Sequence, residues 1–203
     1  MFELFLKGGI IMWPLLLTSL ISLSVVIERI IFMVGERNSR RPLVLENILS
    51  AVESGNIPEA IEHGEKSPDF VVRTLVYGLV HREKAFSNAL LQAANVELRR
   101  FSKGLTVLDT TITLAPLLGL LGTVTGMINA FGLLGNRELE APTVITGGIA
   151  EALIATAFGL AVAILALIPF NYLNARLEEA RHDIEDASTH LELILRKPDR
   201  RLV

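Results

Sequence analysis

Residues 114–131 read LAPLLGLLGTVTGMINAF, an apolar run that contains Pro116, Gly119, Gly122 and Gly126. Each glycine inside a water-exposed helix costs about 1 kcal/mol against alanine, so this pattern suits a soluble helix poorly. In a bilayer the backbone must satisfy its own hydrogen bonds, and glycine lets a second helix come close. The run reads as a membrane-spanning helix made to pack against another. Of the 203 residues, 51% are hydrophobic, and the mean hydropathy is +0.48, so further spans are expected.

Two other runs meet that expectation. Residues 8–27, GGIIMWPLLLTSLISLSVVI, carry no charge and would extend about 30 Å as a helix, matching the hydrocarbon core. The run is too long for a signal peptide, lacks an AxA-like cleavage site and is followed at once by Glu28 and Arg29. Residues 143–175 carry no charge apart from Glu151. Trp13 stands near the start of the first run, where an interfacial aromatic belongs. Arg29, Arg37, Arg40 and Arg41 follow it, against Lys7 alone before it, which puts the N-terminus outside and Arg37 inside. Arg99, Arg100 and Lys103 precede the second run, and Arg176 and Arg181 follow the third, so the C-terminus is expected inside.

The expected organisation is an all-α integral membrane protein with three transmembrane helices and long helices extending into a cytoplasmic helical domain. Its parts are a first transmembrane helix over 1–34, a cytoplasmic helical insertion over 35–104 and a second span over 105–136. A short periplasmic loop over 137–142, a third span over 143–175 and a cytoplasmic helical tail over 176–203 complete it. In the insertion, Asn56 or Ile57 before Pro58, and Ser67-Pro68-Asp69, read as helix starts. The charges there read as a solvated surface. In the tail, Leu177, Ala180, Ile184, Ala187, Leu191 and Ile194 recur at helical spacing, and Pro169 alone interrupts the sequence before them. One very long helix from about residue 143 to 196 is therefore predicted, with the first half of the insertion packed alongside its tail.

On a helical projection, Ala115, Gly119, Gly122 and Gly126 fall within about 60° of one another. Gly148, Ala152, Ala155, Gly159, Ala163 and Ala166 form a similar seam within about 80° on the third span. Beside the first seam, Thr106, Asp109, Thr113, Pro116 and Thr123 make a polar face. Glu151 and Thr156 flank the second seam. A carboxylate facing lipid costs several kcal/mol, so Glu151 is expected to face protein, water or the interface. Asp109 lies near the cytoplasmic end, where it can reach headgroups or water. Intramembrane threonine commonly bonds back to its own helix, so no single threonine defines a site.

Most other function classes find no residues here. Zero cysteines leave no disulfide framework, thiolate nucleophile or cysteine metal site, and the four histidines form no ligand pair. There is no P-loop, dinucleotide fingerprint or nucleophile–base pair, and no basic run for nucleic acid; no cofactor, metal or catalytic residue is expected. Hydroxyls with one or two carboxylates along a helix pair suit a narrow hydrated path for protons or small cations in an oligomer. A passive membrane scaffold is the alternative, since the small-residue seams would support it equally. Three spans without an inverted repeat argue against a solute transporter.

The stretches APLLGLLGTVTGMINAF (115–131) and GIAEALIATAFGLAVAI (148–164) resemble the paired motifs of the MotA/TolQ/ExbB proton channel family. With MWPLLLTSLISLSVVIER (12–29) and three spans rather than four, the likeness is greatest to the ExbB/TolQ branch and covers essentially the whole chain. The resemblance implies a homopentamer in the bacterial inner membrane, its central pore occupied by the single spans of an ExbD/TolR-like dimer. It implies a TonB- or TolA-like energy transducer as the further partner. It also implies that Thr123 and Thr156 face a proton-carrying aspartate on the ExbD/TolR-like chain, and that Glu151 matches the family's membrane glutamate. Asp109 departs from the commonest ExbB pattern; it reads as a cytoplasmic proton exit or as the partner of a base in the insertion.

Overall fold

The computed structural model describes residues 8–134 and 141–196, and every regular element among them is an α-helix. In order these are α1 (Met12–Ser39), α2 (Pro42–Glu53), α3 (Ile57–Gly64), α4 (Phe70–Val80), α5 (Arg82–Ser102), α6 (Leu105–Leu134) and α7 (Ala141–Arg196). Three of them, α1, α6 and α7, are long and apolar enough to cross a membrane. α6 runs unbroken through Pro116 and α7 through Pro169. The loop predicted over 137–142 falls mainly outside the described residues, and α7 has begun by Ala141.

The chain forms two compact units, Met1–Arg29 with Gly104–Tyr172, and Ile30–Lys103 with Leu173–Val203. In the first unit, Met12 and Leu15 of α1 bury themselves against Ala115 of α6 and Ala163 of α7, with Ile11, Leu118 and Phe158 around them. Little of this unit's apolar surface is internal: Leu117, Leu120, Leu121, Val124 and Ile128 of α6 are exposed, as are Leu160, Ile164 and Leu165 of α7. A contiguous surface of that kind needs lipid or other subunits to cover it.

The second unit is a helical domain whose starts are set by local chemistry. Asn56 Oδ1 accepts the Glu59 N–H at 3.4 Å and Asn56 Nδ2 donates to Glu59 Oε2 at 2.6 Å, a reciprocal cap on α3. Gly55, with φ +83°, provides the left-handed turn before it. Ala180, Ile184, Ala187 and Leu191, four of the six residues in the stripe its spacing predicted, are buried, and so is Leu173 just before them. Phe101 is buried edge-on to Phe32 and Phe70, at centroid distances of 5.4 and 5.0 Å. Arg40 lies over the Phe70 ring at 4.8 Å and Arg100 over Phe32 at 5.7 Å.

The charges of this unit are not simply a solvated surface. Asp69 is 2% exposed and caps α4 by accepting the Val71 N–H at 2.9 Å. It also accepts the Arg41 N–H at 2.7 Å and pairs with Arg40 at 3.2 Å, while Arg40 reaches Asp183 of α7 at 3.0 Å. Glu97 is buried and accepts from Arg73 Nε at 2.9 Å, Arg73 Nη2 at 2.8 Å and Arg100 at 2.7 Å; Arg100 also pairs with Glu36 at 3.1 Å. The solvated-surface expectation fails at these positions because neighbouring helices supply partners 24 to 29 residues away in sequence.

Burial alone would raise the Glu97 carboxyl, but the hydrogen bonds from Arg73 and Arg100 outweigh it and hold the group below the ordinary value. A depressed folded pKa stabilises fully above the unfolded value and is lost as pH falls through the folded one. Glu97→Gln is therefore expected to cost about 1.5–3 kcal/mol at pH 7, the worth of a hydrogen bond to a charged group. The difference between variant and wild type should begin to shrink as pH falls below the ordinary glutamate value of about 4.3, where the unfolded chain's carboxyl protonates, and vanish only below the depressed folded value. Thermal melts of the detergent-solubilised chain at pH 7 and pH 3.5 measure both terms.

Candidate functional site

Two helices of the first unit meet backbone to backbone. A Cβ added at Gly119 would lie 3.0 Å from Thr156 Cα and 3.1 Å from the Ala155 carbonyl oxygen. One at Gly126 would lie 3.1 Å from the Gly148 carbonyl oxygen and from Ala152 Cβ, and one at Gly122 2.5 Å from Ala155 Cβ. One at Gly159 would sit 2.5 Å from the Ala115 carbonyl oxygen. As the α6 number rises its α7 partner falls, so the helices run antiparallel along the Gly119, Gly122, Gly126 and Gly148, Ala152, Ala155, Gly159 seams. Only residues without a bulky side chain allow this approach.

The close approach has a chemical consequence at Thr156. Its Oγ donates across the seam to the Gly119 carbonyl oxygen at 3.0 Å, which glycine leaves uncovered. The hydroxyls of Thr123 and Thr113 bond within their own helix. Thr123 Oγ1 donates to Leu120 O at 2.7 Å, and Thr113 Oγ1 to Thr110 O at 3.0 Å and Asp109 O at 3.2 Å. Thr123 and Thr156 are both partly buried, and Thr123 lies one turn along α6 from the carbonyl that Thr156 holds. With the hydroxyl proton committed to a carbonyl, each oxygen keeps lone pairs that can accept from a protonated group.

Glu151 lies elsewhere on the pair. Its carboxylate packs against Gly9, where an added Cβ would collide with Oε1. Gly9 has φ +72°, so the entry to α1 needs glycine both for its backbone and for the space this carboxylate fills. Sequence reading passed over Gly9, because nothing local ties it to a residue so far along the chain. At the opposite end of α6, Asp109 and Thr113 are exposed, and Asp109 forms no ion pair among the described residues. The five polar residues do not form one cluster. They are strung along the helix pair in the order Glu151, then Thr156 and Thr123, then Thr113 and Asp109, with Thr123 and Asp109 about 21 Å apart along α6.

Just beyond Asp109, the junction of α5 and α6 is made by Gly104, with φ +82°. A Cβ there would meet Val25 of α1 at 2.8 Å, and the buried Arg29 lies beside it. Arg29, which the charge bias marks only as a flanking base, is 2% exposed and held bidentately by Glu28.

Three helices long and apolar enough to cross a membrane, two of them packed along a tight glycine–alanine seam, define the class of α-helical membrane proteins. Residues 69–186 match the MotA/TolQ/ExbB proton channel family. The chain is 38% identical over 201 residues to ExbB-like 1 of Synechocystis sp., covering 95% of this chain and 78% of that protein. ExbB-like 3 of the same organism is 32% identical over 198 residues, covering 95% and 93%. The biopolymer transport protein ExbB of Pseudomonas putida is 31% identical over 205 residues, covering 92% of this chain and 59% of that protein. The chain belongs to the MotA/TolQ/ExbB proton channel family, a family of proton channels and transport proteins rather than enzymes.

Proposed function

We propose that this chain is the pore-forming subunit of an ExbB/TolQ-like motor driven by the proton-motive force in a bacterial inner membrane. The N-terminus is outside and the C-terminus inside. Five copies surround the spans of an ExbD/TolR-like dimer, which transmits force to a TonB- or TolA-like transducer. The observation that carries the reading is the Thr156–Gly119 hydrogen bond across the seam, which fixes a hydroxyl at mid-span beside Thr123. In this reading Thr123, Thr156 and Glu151, with Thr113 and Asp109 toward the cytoplasm, form the chain's side of the proton path. Hydroxyls can accept from a protonated partner carboxyl and, on turning, donate to its ionised form. Neutralising that carboxyl removes the cost of moving it past the apolar wall. The "biopolymer transport" in the name of the Pseudomonas putida relative supports force delivery to uptake across the envelope.

Co-expression with an ExbD-like partner, followed by proton flux in proteoliposomes and energised uptake in cells, tests it. Thr123→Ala, Thr156→Ala and Glu151→Ala combined should lower both at least tenfold while the oligomer survives, a rate loss of about 1.4 kcal/mol or more in barrier terms. Wild-type flux and uptake would refute the path assignment. Wild-type uptake with no proton flux at all in the unmutated complex would favour a passive scaffold.

A further inference from the structure

Glu36 lies beyond the apolar run of residues 8–27, in the part of α1 that belongs to the helical domain. Its side chain is 10% exposed. Two arginines and two acids meet there, and the hydrogen bonds are shared unequally. Arg73 gives Nε and Nη2 to Glu97 and Nη1 to the Pro68 carbonyl oxygen. Arg100 gives Nη1 to Glu97 at 2.7 Å and reaches Glu36 Oε1 with Nη2 at 3.1 Å. Glu97 thus accepts three N–H groups, whereas the Arg100 contact of Glu36 engages one oxygen alone. The other, Oε2, is buried and has no hydrogen-bond partner among the described residues. Arg100 is not free to swing toward it, being tied to Glu97 and seated over the Phe32 ring at 5.7 Å.

An ionised carboxylate oxygen kept from water without a donor is unfavourable, and a neutral carboxyl is far easier to bury. We propose that Glu36 is a proton-binding site of the helical domain, taking one proton from water on Oε2 while Oε1 stays with Arg100. The site shares no residue with the membrane path assigned above and does not depend on it. The charged groups that act on it are Arg100 and Glu97 of α5, Arg73 of α4 and Asp69 at the start of α4. On its own helix, Arg40 stands one turn further on and is taken up by Asp69 and by Asp183 of α7.

Burial raises the Glu36 carboxyl above its ordinary value; Arg100 and Arg73 oppose this less strongly, and Glu97 and Asp69 add to it. Glu97, buried beside it, goes the other way because both arginines donate to it. A raised folded value means that Glu36 stabilises the domain fully below the ordinary glutamate value. That contribution is lost as pH rises through the folded value. Proton uptake therefore firms the end of α1 against α5, where Phe32 and Phe101 already meet edge-on.

Infrared difference spectroscopy of the reconstituted full chain reads the proton directly, through the carbonyl stretch of a neutral carboxyl. The wild type should show such a band titrating away with a midpoint above the ordinary glutamate value of about 4.3, and Glu36→Gln should lose it. Asp183, also raised by burial, contributes a band that Glu36→Gln leaves in place. Arg100→Gln should move the Glu36 midpoint up and Glu97→Gln should move it down, since one removes an attracting charge and the other a repelling one. Glu36→Asp keeps a carboxyl and should shift the band rather than abolish it, which secures the assignment if the glutamine variant does not fold. A band untouched by both Glu36 variants would place the proton on another group and overturn the proposal. So would a midpoint at or below the ordinary value, or a shift of the wrong sign in either neighbour variant; Glu36 would then be an ionised partner of Arg100 only.

Discussion

Gly159→Leu is expected to leave α6 and α7 unable to pack. A Cβ alone at this position lies 2.5 Å from the Ala115 carbonyl oxygen and 3.0 Å from Gly119 Cα. Both are backbone atoms, which no rotamer change can move aside. The helices must separate, and the Thr156–Gly119 bond then breaks with them. Overpacking a tight contact costs about 1–3 kcal/mol even where side chains can yield, and here they cannot, so the loss should reach the top of that range or beyond. Gly132→Leu is the control, because nothing lies within 4 Å of a Cβ at Gly132. Both variants add a helix-favouring residue to a long helix. Thermal unfolding in detergent should separate them sharply, with the Gly159 variant failing to give a monodisperse sample. Equal stabilities would contradict the seam.

Asp69→Ala should be the most damaging single change in the helical domain, costing about 3–5 kcal/mol as expected when one partner of a buried ion pair is removed. The carboxylate is 2% exposed and serves three donors: the Val71 N–H, the Arg41 N–H and the Arg40 guanidinium. Losing the cap accounts for about 1 kcal/mol, and orphaning a second buried N–H for about 1–3 more. Asp69→Asn retains an acceptor for the cap without the charge for Arg40, so it should fall between wild type and alanine. Arg40 would still have Asp183, at 3.0 Å, which limits the damage at that end. Hydrogen exchange should locate the loss in α4 and the turn around Arg41. Global stability equal to wild type for Asp69→Ala would remove Asp69 from the centre of this network.

These two positions differ in how much of their role was legible from sequence. Ser67-Pro68-Asp69 announces a helix start, because capping is a bond between residues two or three apart. The second use of Asp69 depends on Arg40 and Arg41, some 29 residues earlier, and composition carries no trace of it. Glu97 was equally hidden. Its charged neighbourhood looks solvated until α4 brings Arg73 against it.

The spans themselves needed only the sequence. An uncharged stretch long enough to cross a bilayer cannot be rescued as a soluble loop or strand, and period and length are local properties. The small-residue seams were legible for the same reason, since helical geometry alone puts Gly119, Gly122 and Gly126 on one side.

Tertiary structure decided which residues the glycine run at 114–131 packs on and in what register. Ala115 meets Gly159 and Gly126 meets Gly148, a pairing that periodicity could not supply. It also divided the polar residues that a helical projection had grouped together. Thr123 is partly buried while Asp109 and Thr113, on the same projected face, are exposed. A projection gives the angle around one helix; only the neighbouring helices determine which angles are inside.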